Sequence, residues 1–533
     1  MSSDPIPPDA ARLIEALADP AAYPHPVGTV RLIETHISWV LLTGRFAYKV
    51  KKPVDLGFVD YTTLERRRHF CEEEVRLNRR LAPDVYLGVV PITGDPAHPK
   101  VGGAGEAFEY AVRMREFPQD AQLDRALARG TVGPDEVDEL ADTLARFHAE
   151  ARVARPGDGY GGPEQVAAAI RANFTLTEPF VGKGIDPERY RHLADWSEAV
   201  LARNRDRITA RLADGFVREC HGDAHLRNIA LVEGRIEIFD CIEFNPAFRF
   251  TDVMAEIAFT RMDFDVRGRT DLGWRVLNRY LEMGGDYAGL ALLPMYLSYR
   301  AYVRAKVALL GPETPERADV VARQVDLADA YTRPGRPALL VMHGVTGTGK
   351  STVSSEIIER LGAIRIRSDA ERKRLAGAAR GHRPGGVGAG IYSADMTRAT
   401  YDRLHELAEA VLAAGYSVVL DATYLKRWQR EAARDVARRA GVPWLIVHCR
   451  APREELIYRI EARAEEAGTI SDATVDVLHA QLKAAEPLEG EEAGRVVLVD
   501  TEGVDPAEVP DLVRGALEGM PGASGSPGRQ VEA

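Results

Sequence analysis

The run His221-Gly222-Asp223-Ala224-His225-Leu226-Arg227-Asn228 sets a carboxylate, Asp223, five positions ahead of an amide, Asn228, and the later strand-like run Ile236 to Phe239 leads into a second carboxylate, Asp240. Moving a phosphoryl group onto a hydroxyl needs such parts. One carboxylate orients the hydroxyl and takes its proton, and oxygen ligands hold Mg²⁺ across the phosphates. Asp223 fits the base, and Asn228 and Asp240 fit the metal ligands. Two other readings compete: a turn rich in hydrogen-bonding side chains followed by a hairpin, and a hydrolytic metal held by His221, Asp223 and His225. The second lacks a further His or Cys set nearby.

A separate set follows a little over a hundred residues later. Gly344-Val345-Thr346-Gly347-Thr348-Gly349-Lys350-Ser351 obeys G-x-x-x-x-G-K-S, with an apolar strand-like run before it and a helix-like run from Thr352 after it. Gly344, Gly347 and Gly349 let the backbone curl so that its N–H groups, those at Thr346, Thr348 and Thr352 among them, face phosphate oxygens. Lys350 reaches the β- and γ-phosphates of ATP, and Ser351 ligates Mg²⁺. Asp421 ends the buried run Ser417 to Leu420 and suits a ligand to metal-bound water, or an ordinary strand-end turn. Arg459 and Arg463 share one helical face, as a lid over a triphosphate would need, although two arginines on a helix are commonly solvated.

The elements that must place these groups are legible. Residues 28–120 read as strands with one intervening helix, and 134–151 as a helix with Val137, Leu140, Leu144 and Phe147 on its buried stripe. Residues 160–212 and 252–330 are mainly helical in pattern. Phe46-Ala47-Tyr48-Lys49 resembles the V-A-I-K strand of kinases; Ala47, Lys49 and Lys51 share one strand face. Phe70, Glu74, Leu77 and Leu81 share a helical face, so Glu74 is the expected partner of Lys49, with Glu73 as the alternative.

At 533 residues and 45% apolar content the chain has room for about two to four domains. The net charge of −11 argues against a surface built wholly for nucleic acid or anionic membrane. No signal-peptide pattern opens the sequence and no apolar run suits a membrane span, so a cytoplasmic protein is expected. Four cysteines, Cys71, Cys220, Cys241 and Cys449, have no metal-finger spacing and read as buried hydrophobes, though Cys220 and Cys241 flank the Asp223 segment. The expected organisation is an unstructured end at 1–10, a first domain at 11–331, a Pro- and Gly-containing linker at 332–337, a second domain at 338–515 and an unstructured tail at 516–533.

The His221–Asn228 and Ile238–Phe244 segments make residues 30–310 resemble the aminoglycoside phosphotransferase and choline kinase superfamily. That resemblance implies an α+β protein-kinase-like fold of two lobes, although no GxGxxG covers the phosphates. Residues 337–500 resemble P-loop kinases such as the polynucleotide and gluconate kinases, implying an α/β domain with a parallel sheet. In their D-x-x-R element, matched by Asp369 and Arg372, the Asp activates the acceptor hydroxyl. The whole chain resembles bifunctional bacterial proteins that join these two domains. The implied activity is ATP- and Mg²⁺-dependent transfer to hydroxyls of small molecules at two sites; the alternative is a nucleotide-sensing regulator in which one domain controls the other.

Tyr296, Arg300 and Arg304 recur four apart and favour an anionic or neutral acceptor over a polycation at the first site, unless acidic neighbours pair the arginines. Around Asp369 the cluster of Arg365, Arg367, Arg372, Lys373, Arg374, Arg380 and Arg383 admits a phosphorylated or nucleic-acid-end acceptor, or simply a solvated basic face. No membrane partner is expected, and the sequence sets no oligomeric state.

Overall fold

Alternation along Phe46–Lys51 divides the first sheet into two faces. The computed structural model describes residues 7–57, 59–377, 393–465 and 474–520. Its backbone divides into two compact units, residues 1–169 with 201–260 and residues 170–200 with 261–533.

In the first unit, β1 (Arg31–Glu34), β2 (Ser38–Leu42), β3 (Phe46–Lys51), β4 (Tyr86–Asp95), β5 (His98–Val101) and β6 (Ala107–Arg115) form an antiparallel sheet in the order β1-β2-β3-β6-β4-β5. Tyr48 and Val50 pack with Trp39, Leu41 and the helix Pro8–Ala16 through Leu13 and Ile14. Lys49 and Lys51 point the other way, toward the helix Leu64–Asn78. That helix starts at Thr63, whose hydroxyl accepts the Arg66 N–H at 3.2 Å, and it lays Cys71 and Val75 against Tyr86 and Val112.

The helix Pro134–Glu150 buries the stripe expected of it. Beyond it, β7 (Val217–Glu219) pairs with β10 (Phe250–Asp252), and β8 (Ile229–Val232) with β9 (Arg235–Ile238). Asp240, expected to close a strand, stands two residues past β9 with φ of 64°. Such a left-handed backbone is uncommon for a residue with a side chain and turns the carboxylate away from the strand's line.

In the second unit, β11 (Leu339–His343), β12 (Ala363–Arg367), β13 (Ser417–Asp421), β14 (Trp444–Arg450) and β15 (Val496–Asp500) are all parallel, in the order β12-β13-β11-β14-β15. β11 and β13 are buried at every position, as strands covered on both faces must be. Helices Lys350–Leu361 and Val509–Glu518 supply Val353, Ile357 and Val513 to a core shared with Leu340, Met342 and Val419. Helices Pro8–Ala16 and Val509–Glu518 run into both stretches expected to be unstructured: Pro at N1 or N2 and buried Leu13, Ile14, Val513 and Leu517 outweigh the Pro- and Gly-rich composition there. Among the described residues no helix is long and apolar enough to cross a membrane.

Candidate active sites

In the first unit, Lys49 Nζ lies 2.8 Å from Glu74 Oε1 and 2.6 Å from Asp240 Oδ1. The pair expected from spacing forms, and Glu73 instead takes Arg76 at 2.8 Å. Lys51 is not a bystander. Fully buried, it lies 2.8 Å from Glu74 Oε2 and also pairs with Glu243, which accepts a hydrogen bond from Tyr61. Glu74 therefore sits between two ammonium groups. Burial alone would raise its carboxyl, but both lysines outweigh burial and hold it below the usual carboxylate range. Burial likewise opposes the charge on Lys49, and Asp240 and Glu74 together keep the ammonium protonated well above its ordinary value.

Asp223 keeps 35% of its side chain exposed. Asn228 Nδ2 donates to its Oδ2 at 3.0 Å and to its carbonyl at 3.0 Å, and His225 Nε2 lies 3.4 Å from Oδ2. Beneath this loop is Glu256, buried and unforeseen. Its carboxylate accepts the His221 N–H at 2.9 Å, the Gly222 N–H at 2.5 Å and His148 Nε2–H at 3.1 Å. Burial would raise Glu256, yet His148 and His221, the latter through its charge and its backbone N–H, hold it at about 2. Gly222 has φ of 86°, and a Cβ there would stand 2.8 Å from the Phe248 carbonyl, so only glycine fits.

The hydrolytic-metal arrangement does not form. His221 Nε2 donates to the Phe239 carbonyl at 2.9 Å, and Nδ1 accepts the Asp223 N–H at 3.3 Å, so neither ring nitrogen is left to ligate. His148, Cys220 and Glu256 lie close enough to resemble a metal cluster, but both Glu256 oxygens already accept hydrogen bonds. All four cysteines are buried, and burial pushes the Cys241 thiol up to about 12, far from a reactive thiolate.

In the second unit, the loop after β11 turns through Gly344, Gly347 and Gly349 at φ of 141°, 84° and 75°. A Cβ on Gly344 would stand 2.4 Å from the Cys449 carbonyl. Lys350 opens the helix, with Nζ donating to the Val345 carbonyl at 2.8 Å, while Thr348 Oγ1 donates to the same oxygen at 2.8 Å. Gln481, from the helix Val475–Ala484, accepts the Thr346 N–H at 2.7 Å, and Thr352 is exposed on the first turn. Ser354 Oγ is 3.0 Å from the Ser351 carbonyl and 3.1 Å from Asp421 Oδ2, which brings Asp421 against the second turn of the P-loop helix, one turn on from Lys350 and Ser351.

Asp369 lies in the first turn of the helix Ser368–Leu375; burial raises its carboxyl against the pull of Arg367, Arg372 and Lys373. Arg372 is buried, with a guanidinium nitrogen 3.4 Å from Thr397 Oγ1. Arg459 donates to Thr501 Oγ1 at 2.9 Å and to its carbonyl at 3.0 Å, and Thr501 packs on Gly349, so this arginine borders the loop. The Arg463 side chain, Arg380 and Arg383 lie outside the described residues. Tyr296 and Arg300 are buried and Arg304 half-buried on the helix Leu293–Leu310.

A family model described as an AAA domain matches residues 339–488. An uncharacterized protein of Mycobacterium tuberculosis, Rv2004c, is 32% identical over 460 residues, covering 85% of this chain and 90% of its own. Among solved structures, a gluconokinase from Sinorhizobium meliloti 1021 is 25% identical over 34% of this chain and 93% of its own, with a TM-score of 0.25. A choline/ethanolamine kinase family protein from Mesorhizobium loti is 13% identical over 61% of this chain and 94% of its own, with a TM-score of 0.36. Matched along most of both lengths, this chain belongs to the family of the mycobacterial protein Rv2004c, and its residues 339–488 match the AAA domain model.

Proposed function

We propose that the chain is an ATP-dependent phosphotransferase with two separate sites, each moving the γ-phosphoryl group of ATP to a hydroxyl of a small molecule. The observation that carries this reading is Lys49 Nζ held between buried Glu74 and Asp240, in the same unit that pairs Asn228 with Asp223. An ammonium fixed by one carboxylate and facing another is how a phosphate-reaching lysine is positioned in kinase chemistry. The antiparallel sheet is then the small lobe of a two-lobe, protein-kinase-like domain at residues 11–331.

Asp223 takes the proton of the acceptor hydroxyl, its carboxylate oriented by Asn228 and His225. Asp240 and the side-chain oxygen of Asn228 form an all-oxygen donor set suited to Mg²⁺, and Asp240 keeps 48% of its side chain exposed for such a ligand. Bound Mg²⁺ supplies charge neutralisation across the β- and γ-phosphates. In the second unit, Lys350 and the loop amides hold the triphosphate, Ser351 and Asp421 supply the metal site, and the raised Asp369 carboxyl with Arg372 receives the acceptor. Arg459 closes on the phosphates from the side of Thr501.

The test is a phosphate-transfer screen of a metabolite library with Mg²⁺ and ATP, run on the intact chain and on its Asp223→Asn and Lys350→Ala variants. Two acceptors are expected, one lost with each substitution. Finding no transfer in the intact chain, while ATP still binds, would move the reading to a nucleotide-sensing regulator.

A further inference from the structure

β12 is an edge of the parallel sheet, and its outer backbone groups meet a side chain instead of another strand. Asn278, on the helix Thr270–Gly284, donates from Nδ2 to the Ala363 carbonyl at 2.9 Å and accepts the Arg365 N–H on Oδ1 at 2.7 Å. Arg275 of the same helix pairs with Glu359 at 2.8 Å, and buried Trp274 stacks edge-on against Tyr416. This helix lies outside residues 339–488, yet it belongs to the same compact unit as the P-loop.

Its last turn carries Glu282, with a side chain only 3% exposed. The carboxylate takes Arg367 at 3.2 Å and lies 3.8 Å from Arg365, and the Glu282 carbonyl accepts Arg374 at 2.8 Å. Arg367 also reaches toward Asp421, at 3.8 Å. These distances rank the two carboxylates: the guanidinium is hydrogen-bonded to Glu282 and only leans on Asp421. Were Glu282 neutral, the nearest full negative charge for Arg367 would be Asp421, and a closed pair there would withdraw that carboxylate from the P-loop helix.

We infer that the P-loop site is completed from outside the AAA segment, by Glu282 acting as a positioning residue that restrains Arg367 and so leaves Asp421 open to the site. This rests on the P-loop reading above and deepens it. The helix Thr270–Gly284 is then part of the second catalytic unit.

The test uses the full chain with Asp223→Asn to silence the first site, Mg²⁺-ATP as substrate and water as acceptor; water oxygen attacks the γ-phosphorus, the bond to the β-γ bridging oxygen breaks, and ADP and phosphate leave. Glu282→Gln should lower kcat about tenfold or more, as misplacement of a supporting group does. Fluorescent ADP should bind within about threefold of the parent, and thermal unfolding should show the variant still folded at the assay temperature, although loss of a buried ion pair lowers its midpoint. Adding Arg367→Met to Glu282→Gln should cost no more than Arg367→Met alone, because the two act through one contact. Should Glu282→Gln not fold, Glu282→Asp, which keeps the charge but shortens the reach to Arg367, must show the same direction of loss in kcat with ADP binding intact. An unchanged kcat in the folded variant, or fully additive losses in the double variant, overturns the inference. Lys350→Ala in the same background separates the two levels: if it leaves turnover intact, the P-loop reading itself fails, and the inference with it.

Discussion

At Asp223 the carboxylate is shared between orientation and exposure: Asn228 and His225 hold Oδ2, while a third of the side chain faces outward. Asp223→Asn keeps the shape and removes the base, so transfer at the first site should fall by about 10²-fold or more with ATP binding retained, as rapid-quench and nucleotide titration would report. Glu256 invites a different measurement. Its folded value of about 2 lies below its ordinary 4.5, so the unfolded state binds the proton more readily. Its contribution to stability is therefore complete above about pH 4.5 and is lost as the pH falls toward 2. The stability difference between the parent and Glu256→Gln, from urea unfolding, should be on the order of a few kcal/mol at pH 7 and shrink steadily below pH 4.5. A difference constant from pH 7 to pH 3 would remove the ionised hub beneath the catalytic loop.

Between elements, the tie from β3 to the helix Leu64–Asn78 belongs to a five-charge cluster, Lys49, Lys51, Glu74, Asp240 and Glu243. Lys51→Met would leave Glu243 and one oxygen of Glu74 buried beside Tyr61 without their cation, and breaking a buried pair from one side costs about 3–5 kcal/mol. Urea unfolding at pH 7 should show a loss of that size; a loss under about 1 kcal/mol would mean that the carboxylates relax by protonation or hydration. Spacing revealed part of this cluster. Lys49 and Glu74 were readable because strand period and helix period each put a charge on a buried face. Whether Lys49 or Lys51 reached Glu74 was undecidable from period alone, because both share the face and both do. Glu256 and Glu282 carried no comparable signal: each is one acid in a helix, and its role comes from a partner brought by tertiary packing, a turn's two amides in one case and Arg367 in the other. The Asp240 backbone was unreadable for a related reason, since nothing local asks a non-glycine residue for positive φ.

At the scale of the whole chain, the proposed residues separate cleanly by unit. Lys49, Glu74, Asp223, Asn228 and Asp240 all belong to the first, and Lys350, Ser351, Asp369, Asp421 and Arg459 all belong to the second. Sites that draw no residue in common can be coupled only through a change that both sense, and such couplings are typically about 1–3 kcal/mol when they exist. Lys350→Ala removes the ammonium that would meet the charge developing on the γ-phosphoryl group, so transfer at the second site should be abolished. First-site transfer in the same intact variant should stay within a few-fold of normal at saturating ATP. Steady-state assays of both transfers on one preparation decide this, with thermal unfolding to confirm that the variant is folded. Complete loss of first-site transfer in a folded Lys350→Ala chain would instead make the P-loop its obligatory switch.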